Sequence, residues 1–525
     1  MPKRRHPFLD FMKKKERQLP HPLISAIPLL VLIGLLAVVI ALFGSDSLSG
    51  GSQVALLMGL ATCVAISMVA YRVPWKAFED QMTKTLGGVA VTLLILLTVG
   101  MLSGSWMVSG VVPTLIYYGV QILSPQFFLV GACVICALVS LLSGSSWTTI
   151  ATIGVALLGI GDALGISEAW TAGAIISGAY FGDKMSPLSD TTILASSTTR
   201  VDIFEHIRYM TLTTTPAFLI TLLIFFVSGL GMGGNTEVQV EQYTEGLAST
   251  FNISLWTLLV PLFTALLIVR RLPSLIVLFL SAIMAGVMAL ILQPHLLIEI
   301  GQGGNGPLDL WSLATEGTQE WSMFNGECSM VNGECSMVND PWSMIKGLAL
   351  TYYGATAVET GNAALNELVS TGGMTGMLNT IWLIICAMCF GAVMVASGMI
   401  ESITRLVISW VRHRFGLVAS TASTGLFLNI ATGDQFISIV LTADMFRHVY
   451  KRLGFEPRLL SRTCEDSATV TSVLVPWNTC GMTQSTVLGV ATMTYLPYCF
   501  FNILSPLMTL LVAAIGWRIR QEKAE

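Results

Sequence analysis

Several acidic and hydroxyl-bearing residues of this 525-residue chain stand inside otherwise apolar sequence. Asp183 and Asp190 flank a Ser-Pro-Leu-Ser segment at 186–189. Because Pro187 lacks a backbone N–H and disfavours helix at the residue before it, this segment predicts a broken helix. Carboxylates, hydroxyls and freed carbonyl groups are the hard oxygen ligands that a small cation prefers. The seven-residue spacing places both carboxylates on one face if the segment is helical, and both can turn inward if it is unwound.

Similar polar interruptions occur in a second half of the chain. A Ser-Gly-Ser-Ser-Trp-Thr-Thr break at 143–149 precedes the first acidic segment. The later break Asn429–Gln435 contains Asp434, and it is followed by Glu465 and Asp466. Paired interruptions at corresponding places in two halves of a membrane protein predict a transport site near the bilayer midplane. An internal repeat is therefore predicted from pattern, without sequence identity between the halves.

Carboxylates inside a membrane are costly and are candidates for function. Burial in apolar surroundings raises the pKa of carboxyl groups in general, so that they can hold a proton near neutral pH. When the proton leaves, the negative charge that remains attracts a cation. A site that chooses between a proton and a metal cation is therefore the minimum machinery for exchange.

Each acidic candidate also has a structural interpretation. Asp183 could pair with the adjacent Lys184 in an aqueous loop. Asp434 could cap a helix, because Asp is a favoured N-cap residue. Glu465 and Asp466 could belong to a solvated helix end, since arginines precede them in the sequence. The sequence leaves these alternatives open.

The composition sets the kind of element that must position these residues. Hydrophobic residues make up 54% of the chain and charged residues 11%, whereas soluble domains carry about 25% charged residues. The net charge of −4 does not favour a nucleic-acid partner. The HExxH and GxSxG motifs are absent from the sequence, and we predict neither an enzyme nor a bound cofactor. What remains is a polytopic α-helical membrane protein.

Long windows without charge locate the membrane segments. Residues 85–161 and 467–517 contain no charged residue, and roughly 20 apolar residues suffice for one crossing. The apolar run 23–43 is longer than the hydrophobic region of a signal peptide, about 7–15 residues, so we interpret it as a retained first span. Roughly 10–13 membrane segments are predicted.

The distribution of Lys and Arg predicts that both termini are cytoplasmic. The main external loop contains the heptapeptide NGECSMV twice in tandem, at Asn325–Val331 and Asn332–Val338, which we interpret as a duplication in a tolerant loop. The predicted regions are a basic cytoplasmic N-terminus at 1–22, a first transmembrane half at 23–293, the acidic external loop at 294–345, a second transmembrane half at 346–517 and a cytoplasmic C-terminus at 518–525.

The run Gly173–Thr192, which ends in Gly-Asp-Lys-Met-Ser-Pro-Leu-Ser-Asp-Thr-Thr, resembles the signature of the NhaC family of sodium/proton antiporters. The turn Ser143–Trp147 also resembles that family. The resemblance implies an all-α polytopic membrane protein with two inverted-topology repeats, broken helices and helical hairpins. It also implies that Asp183 and Asp190 take part in cation handling. Some members of the family exchange organic acids, such as malate for lactate, and the motif does not separate them from sodium/proton exchangers.

We therefore predict a secondary active antiporter that exchanges Na⁺ for H⁺ across the cell (inner) membrane by alternating access. The alternative is a sodium- and proton-coupled organic-acid exchanger of the malate/lactate type. Na⁺, H⁺ and the lipid bilayer are the predicted partners, with a small carboxylate in the alternative, and a homo-oligomer is left open. Asp183 and Asp190 are predicted to bind the transported Na⁺. The full predicted set for cation and proton binding is Asp183, Asp190, Ser186, Thr191, Ser145, Ser146, Thr148, Asp434 and Asp466.

Overall fold

Almost all of the described secondary structure is helical, which confirms the predicted all-α class. The exceptions among the described residues are a short antiparallel pair inside the tandem repeat, Met330–Val331 with Glu334–Cys335, and two isolated β-bridges. The rest of that repeat and most of the predicted terminal regions lie outside the described residues. The computed structural model describes residues 19–43, 50–231, 236–302, 330–331, 334–335, 341–360, 365–366, 369–409, 411 and 413–521.

Most of the helices up to residue 302 follow the apolar windows of the sequence, and a π-helical turn (Ile150–Gly154) and a 3-10 turn (Leu255–Leu258) interrupt them. These helices are α1 (Pro22–Phe43), α2 (Gly51–Tyr71), α3 (Trp75–Val108), α4 (Val111–Ile122), α5 (Pro125–Ser143), α6 (Ser146–Thr149), α7 (Val155–Ala163), α8 (Glu168–Met185), α9 (Asp190–Thr199), α10 (Ile203–Leu230), α11 (Thr236–Thr250), α12 (Leu259–Val269), α13 (Ser274–Leu292) and α14 (Pro294–Gln302).

The helices from residue 341 onward include a second π-helical turn (Glu465–Thr469) and two 3-10 turns (Ser472–Leu474 and Leu496–Tyr498). The remaining helices are α15 (Pro341–Tyr353), α16 (Gly373–Gly376), α17 (Leu378–Ala396), α18 (Met399–Ser409), α19 (Arg414–Thr432), α20 (Gln435–Arg452), α21 (Pro457–Cys464), α22 (Thr479–Leu488), α23 (Thr492–Tyr495) and α24 (Phe500–Ile515).

The number of membrane crossings overlaps the lower end of the predicted range. Within the described residues, nine helices are long and apolar enough to cross a membrane, and the number rises to eleven if two bent pairs each form one span. The predicted first span is one of these nine, as α1. At about 1.5 Å per residue, the 34-residue α3 is longer than the hydrocarbon core of about 30 Å. Its charged first turns therefore extend beyond the core.

Glycines in the left-handed backbone region divide the charge-free window 85–161 into separate helices. Gly110 (φ 80°) separates α3 from α4, and Gly144 (φ 67°) separates α5 from α6. Residues with a Cβ rarely adopt this conformation, whereas glycine does so at little steric cost. A window long enough for several crossings is thus divided by residue type, as the sequence predicts.

Close packing of α5 on α8 sets the position of the acidic segment. A Cβ atom at Gly178 would lie 2.1 Å from the Cys133 carbonyl oxygen, and one at Gly182 would lie 2.2 Å from that of Ala137. Small residues at such spacing allow the backbones of two membrane helices to approach closely. The end of α8 is therefore fixed against the end of α5.

Both large apolar cores contain residues from both halves of the sequence. One core joins residues such as Ile150 and Ile176 to Val473 and Phe501, and the second joins α1–α3 to α17 and α19. Trp147 packs against both cores. The halves are interleaved in space, while their inverted relation and the domain boundaries given above stay predictions.

Candidate functional site

The two polar breaks of the first half lie against each other. Gly144 ends α5, and a Cβ atom there would lie 2.7 Å from the carbonyl carbon of Leu188, in the segment between α8 and α9. Ser145 then caps α6, because its hydroxyl oxygen accepts a hydrogen bond from the Thr148 amide at 3.2 Å. The predicted residues of the two breaks therefore share one region, in which Ser186 and Ser189 are buried and Pro187 is exposed.

Asp183 is an acidic residue in contact with this junction. It stands in the last turn of α8, is only 7% exposed, and accepts a hydrogen bond of 2.7 Å from the Ser146 hydroxyl. The C-terminal end of a helix carries partial negative charge, which disfavours a carboxylate there unless a cation or a proton accompanies it. Within the described residues, Asp183 forms no salt bridge. Its surroundings therefore suit an exchangeable positive charge.

Asp190 lies in a different environment from Asp183. It is the first residue of α9 and is exposed, and the hydroxyl of Ser189 caps that helix. Of the neighbouring predicted oxygen donors, Ser186 accepts a hydrogen bond from the Leu188 amide. Thr191 is hydrogen-bonded to the Ser189 hydroxyl at 3.0 Å. The structure therefore places Asp183 in the interior and Asp190 at the surface, and the ligand roles predicted for both stay predictions.

Asp466 is fully buried and is surrounded by donors. Its carboxylate forms a salt bridge with the Lys184 ammonium group and accepts hydrogen bonds from the hydroxyls of Thr213 (2.8 Å), Thr509 and Ser505 (3.3 Å). The Lys184 ammonium group also donates to Ser505 at 2.9 Å. This ion pair joins α8 to the second half of the chain. Lys184 is therefore neither in an aqueous loop nor paired with Asp183.

Arg462 completes the positive side of this cluster. Its Nε atom lies 3.8 Å from the carboxylate of Asp466, which is four residues further along the chain. Its guanidinium group stacks 4.6 Å from the centroid of the Tyr209 ring. An aromatic face attracts a buried cation in this position. Asp466 thus faces two basic groups.

Glu465 is a carboxylate of a different kind. It is completely buried, and neither of its carboxylate oxygens has a hydrogen-bond partner among the described residues. It interacts electrostatically with Lys184, Asp183 and Asp466. It also begins the π-helical turn after α21, and such turns are frequent at functional sites. Buried polar atoms without partners require an explanation, such as a functional role.

Glu465 is not part of the binding set predicted from the sequence. Residues three and four apart on a helix are neighbours, so the sequence allows Arg462 to pair with either Glu465 or Asp466. The structure selects Asp466 and leaves Glu465 without a salt bridge among the described residues.

Asp434 caps a helix, which is the structural interpretation that the sequence left open. Its Oδ1 atom accepts a hydrogen bond of 2.8 Å from the Ile437 amide at the start of α20. Its Oδ2 atom accepts a longer one, 3.4 Å, from the Thr479 hydroxyl at the start of α22. Asp434 is buried and joins the two breaks of the second half. In this conformation it is distinct from the cluster around Asp466.

The sequence model of the Na⁺/H⁺ antiporter family matches residues 178–304 and 337–517. The matched segments contain every acidic candidate described above but not the break at 143–149.

Individual relatives resemble most of the chain. The Na⁺/H⁺ antiporter NhaC of Alkalihalophilus pseudofirmus is 35% identical over 89% of this chain and 91% of its own length. NhaC of Bacillus subtilis is 32% identical over 84% of this chain and 88% of its own. A malate-2H⁺/Na⁺-lactate antiporter of Bacillus subtilis is also 32% identical, over 79% of this chain and 78% of its own length.

Proposed function

The chain belongs to the Na⁺/H⁺ antiporter family, and from that premise we propose that it exchanges Na⁺ for H⁺ across the cell membrane by alternating access. The observation that carries the proposal is the position of Asp183. A buried carboxylate meets hydroxyl groups at the junction of two helix breaks, and no basic residue in the described chain neutralises it. Such a group needs either a proton or a cation.

The charge balance of the buried cluster supports a competition for one site. Asp183, Glu465 and Asp466 supply three negative charges when ionised, and Lys184 and Arg462 supply two positive charges. One proton or one Na⁺ therefore makes the cluster neutral. A second positive charge would leave an excess buried charge, which is costly in a low-dielectric interior. The cluster is thus suited to hold either ion but not both.

The exchange step follows from this balance. Asp183 and Glu465 share the excess negative charge, and the proton resides on one of their carboxyl groups. When the cluster faces the side of high proton concentration, protonation releases Na⁺. When it faces the other side, loss of the proton restores the charge that binds Na⁺. The hydroxyls of Ser145, Ser146 and Thr148 provide neutral oxygens near Asp183.

Exchange of an organic acid is a second candidate, favoured by the similarity to the malate/lactate antiporter. A carboxylate substrate requires a positive group, and the sequence offers Lys184 inside the acidic motif. In this conformation, however, Lys184 is fully buried and is engaged by Asp466 and Ser505. That engagement favours Na⁺/H⁺ exchange, and malate and lactate therefore belong in the test as added substrates.

The test is Na⁺-dependent proton flux in reconstituted vesicles. The wild-type protein is expected to dissipate an imposed pH gradient when Na⁺ is added, without a requirement for malate or lactate. Asp183→Asn should reduce this flux to the level of empty vesicles. Glu465→Gln should raise the Na⁺ concentration needed for half-maximal flux. Asp80→Asn, which changes an exposed acid on α3, is the matched control and should retain the wild-type flux.

Two results would contradict the proposal. If Asp183→Asn retains the wild-type flux, Asp183 does not carry the exchange. If the wild-type protein moves protons only when malate or lactate is present, the organic-acid alternative replaces Na⁺/H⁺ exchange. Size-exclusion profiles of all variants in detergent verify that the comparison is made on folded protein.

We propose that both termini face the cytoplasm. Arg208, Arg458, Arg518 and Arg520 line one cavity at one end of the molecule, and basic residues accumulate on the cytoplasmic side of membrane proteins. Reporter fusions at each end, active only on one side of the membrane, test this orientation. A reporter signal from the external side at either terminus would contradict it.

A further inference from the structure

A basic cavity lies at the surface, separate from the buried cluster. It has a volume of about 760 Å³, and four of its lining residues are arginines (Arg208, Arg458, Arg518 and Arg520), against one acidic residue, Glu205. Three elements supply these arginines: the first turns of α10, the start of α21 and the segment that follows α24. Elements distant in sequence thus converge to concentrate positive charge.

The cavity wall is held by contacts outside the arginine side chains. The Tyr209 hydroxyl donates a hydrogen bond of 3.1 Å to the Arg518 carbonyl oxygen. Just beyond, Gln521 forms a β-bridge with Phe455, and its side chain donates to the Leu453 carbonyl at 3.0 Å. The segment after α24 is therefore fixed against α10 and the turn before α21. Backbone segments that are fixed against one another thus form the wall of the cavity.

Among the described residues, most of the arginines in the cavity have no salt-bridge partner. Glu205 lies 3.3 Å from Arg458, which also bonds Glu456 at 2.5 Å. Within the described residues, no salt bridge involves Arg208, Arg518 or Arg520. Planar guanidinium groups in a cluster match the oxygens of a phosphate group and bind it by paired hydrogen bonds. The cavity therefore fits a phosphate-bearing anion.

The surroundings place the cavity at the level of lipid head groups. Trp517 is 51% exposed and stands directly before Arg518 at the end of α24, and exposed tryptophans are typical of the membrane interface. Phe204, in the cavity wall, is 69% exposed. Along α10, Leu219 and Leu223 are each 60% exposed and present an apolar surface for acyl chains. A ligand in this cavity would have polar groups around it and the apolar surface of a helix beside it.

From these features we propose that the cavity binds the phosphate group of an anionic phospholipid. Basic pockets between membrane helices on the cytoplasmic side are suited to such head groups. The Tyr209 ring lies 4.8 Å from the Arg458 guanidinium and 4.6 Å from that of Arg462, which belongs to the buried cluster. A bound lipid thus joins α10, α21 and the end of α24 next to the transport site.

The test compares lipid binding to the full-length protein in detergent. Native mass spectrometry counts bound phosphatidylglycerol and phosphatidylcholine, and thermal unfolding measures the effect of each lipid on stability. The variant Arg208→Gln/Arg520→Gln removes two cavity arginines. The variant Arg270→Gln/Arg271→Gln removes two exposed arginines outside the cavity and is the matched control.

Wild-type protein and the control should prefer phosphatidylglycerol over phosphatidylcholine. The cavity variant should lose a factor of roughly 30 in that preference, because each basic residue near the surface contributes about fivefold. Phosphatidylglycerol should raise the unfolding temperature of the wild type and of the control, but not that of the cavity variant. Equal loss of preference in both variants would indicate general surface charge and would overturn the proposal.

Two further arms separate other sources of the anion. If millimolar inorganic phosphate stabilises the wild type as much as phosphatidylglycerol does, the ligand is a soluble phosphate and the lipid assignment fails. Glu522 and Glu525 end the chain. If phosphatidylglycerol binds only after Glu522→Gln/Glu525→Gln, the C-terminal carboxylates compete successfully for the cavity in the full chain, and the proposal is overturned.

Discussion

In the first half of the chain, α5 ends at Gly144, whose backbone is left-handed (φ 67°), and Ser145 caps the next helix. In the second half, α19 ends at Gly433, also at φ 67°, and Asp434 caps the next helix. Both caps accept a hydrogen bond from the amide three residues on. The two halves therefore use one backbone device and differ in the charge of the capping residue.

The second break of each half shows the same relation. Pro187 stands two residues before Ser189, which caps α9, and Pro476 stands two residues before Asn478, which caps α22. A proline before an N-cap keeps the preceding chain extended and prepares the next helix. The similarity extends to packing, since the residue after each proline faces the left-handed glycine of its own half.

The difference between the halves lies in what their carboxylates contact. Asp183 accepts a hydrogen bond from the Ser146 hydroxyl. Asp434 accepts one from the Ile437 amide and a longer one from the Thr479 hydroxyl, each at the start of a helix, and Asp466 is held by Lys184. Glu465 alone in the second half lacks such partners among the described residues. Matching breaks therefore do not imply matching ion ligands. We infer that Asp183 from the first half and Glu465 from the second are the exchangeable acids, and that Asp434 and Asp466 have structural roles.

The largest effect is expected where a structural carboxylate is removed. Asp466→Asn leaves Lys184 and Arg462 buried without their counterion, which should cost about 3–5 kcal/mol of stability. Asp183→Asn should cost about 1 kcal/mol, because it weakens hydrogen bonds such as the one from the Ser146 hydroxyl. Thermal unfolding in detergent measures both. The double variant Lys184→Met/Asp466→Leu should be more stable than Asp466→Asn, and an Asp466→Asn protein as stable as the wild type would refute the structural role.

The left-handed glycines test whether the two breaks are equally constrained. Gly144→Ala and Gly433→Ala should each cost about 1–2 kcal/mol for the backbone conformation. Gly144→Ala should cost more, because its Cβ atom would lie 2.7 Å from Leu188, against 3.2 Å for the nearest atom to a Cβ at Gly433. Gly88→Ala in α3, where a Cβ meets nothing within 4 Å, is the control for unfolding temperature and flux. Equal losses of stability in Gly144→Ala and Gly433→Ala would show that the two glycines are packed equally tightly.

Much of the fold could be predicted from the sequence, because the signals are local. Glycine, proline and capping residues mark where helices end, and charge-free windows mark where they cross the bilayer. The breaks at 143–149 and 429–435 are therefore found where the sequence places them. In each break, the glycine that ends one helix is directly followed by the residue that caps the next.

The candidate site could be predicted only in part, because its contacts are not local. Lys184 and Asp466 are 282 positions apart, and no spacing rule connects them. The seven-residue spacing places Asp183 and Asp190 on one helix face only if the helix between them is unbroken. Pro187, which helps to identify the site, also breaks that helix, so the two carboxylates do not share a face. The sequence thus identified the acidic segment but not which of its acids is buried.

Changes at the two N-cap residues, Ser145 and Asp434, should have smaller effects on stability, of similar size in the two halves. Ser145→Ala and Asp434→Ala should each cost about 0.5–2 kcal/mol, the usual range for loss of an N-cap. Asp434→Asn keeps a capping side chain and should retain both stability and Na⁺-dependent flux. Thermal unfolding and vesicle flux measure these effects, with Ser254→Ala, at a cap next to an exposed 3-10 turn, as control. Loss of flux in Asp434→Asn, as in Asp183→Asn, would show that Asp434 is an exchangeable acid as well as a cap.

The smallest effect is expected at Asp190, which is exposed at the start of α9. Asp190→Asn should change stability by less than about 1 kcal/mol, because a surface carboxylate gains little from the helix dipole. Its remaining influence is to attract Na⁺ toward the buried site, and salt screens exposed charges over about 8–10 Å. The variant should therefore raise the Na⁺ concentration for half-maximal flux at low ionic strength and match the wild type when choline chloride is added. Asp183→Asn, by contrast, should stay inactive at every ionic strength. Salt screens exposed charges much more than buried ones, so it should not alter the effect of removing the buried carboxylate.

Complete and salt-independent loss of flux in Asp190→Asn would mean that Asp190 joins the ion-binding set in another conformation. One half of the chain would then supply two exchangeable acids.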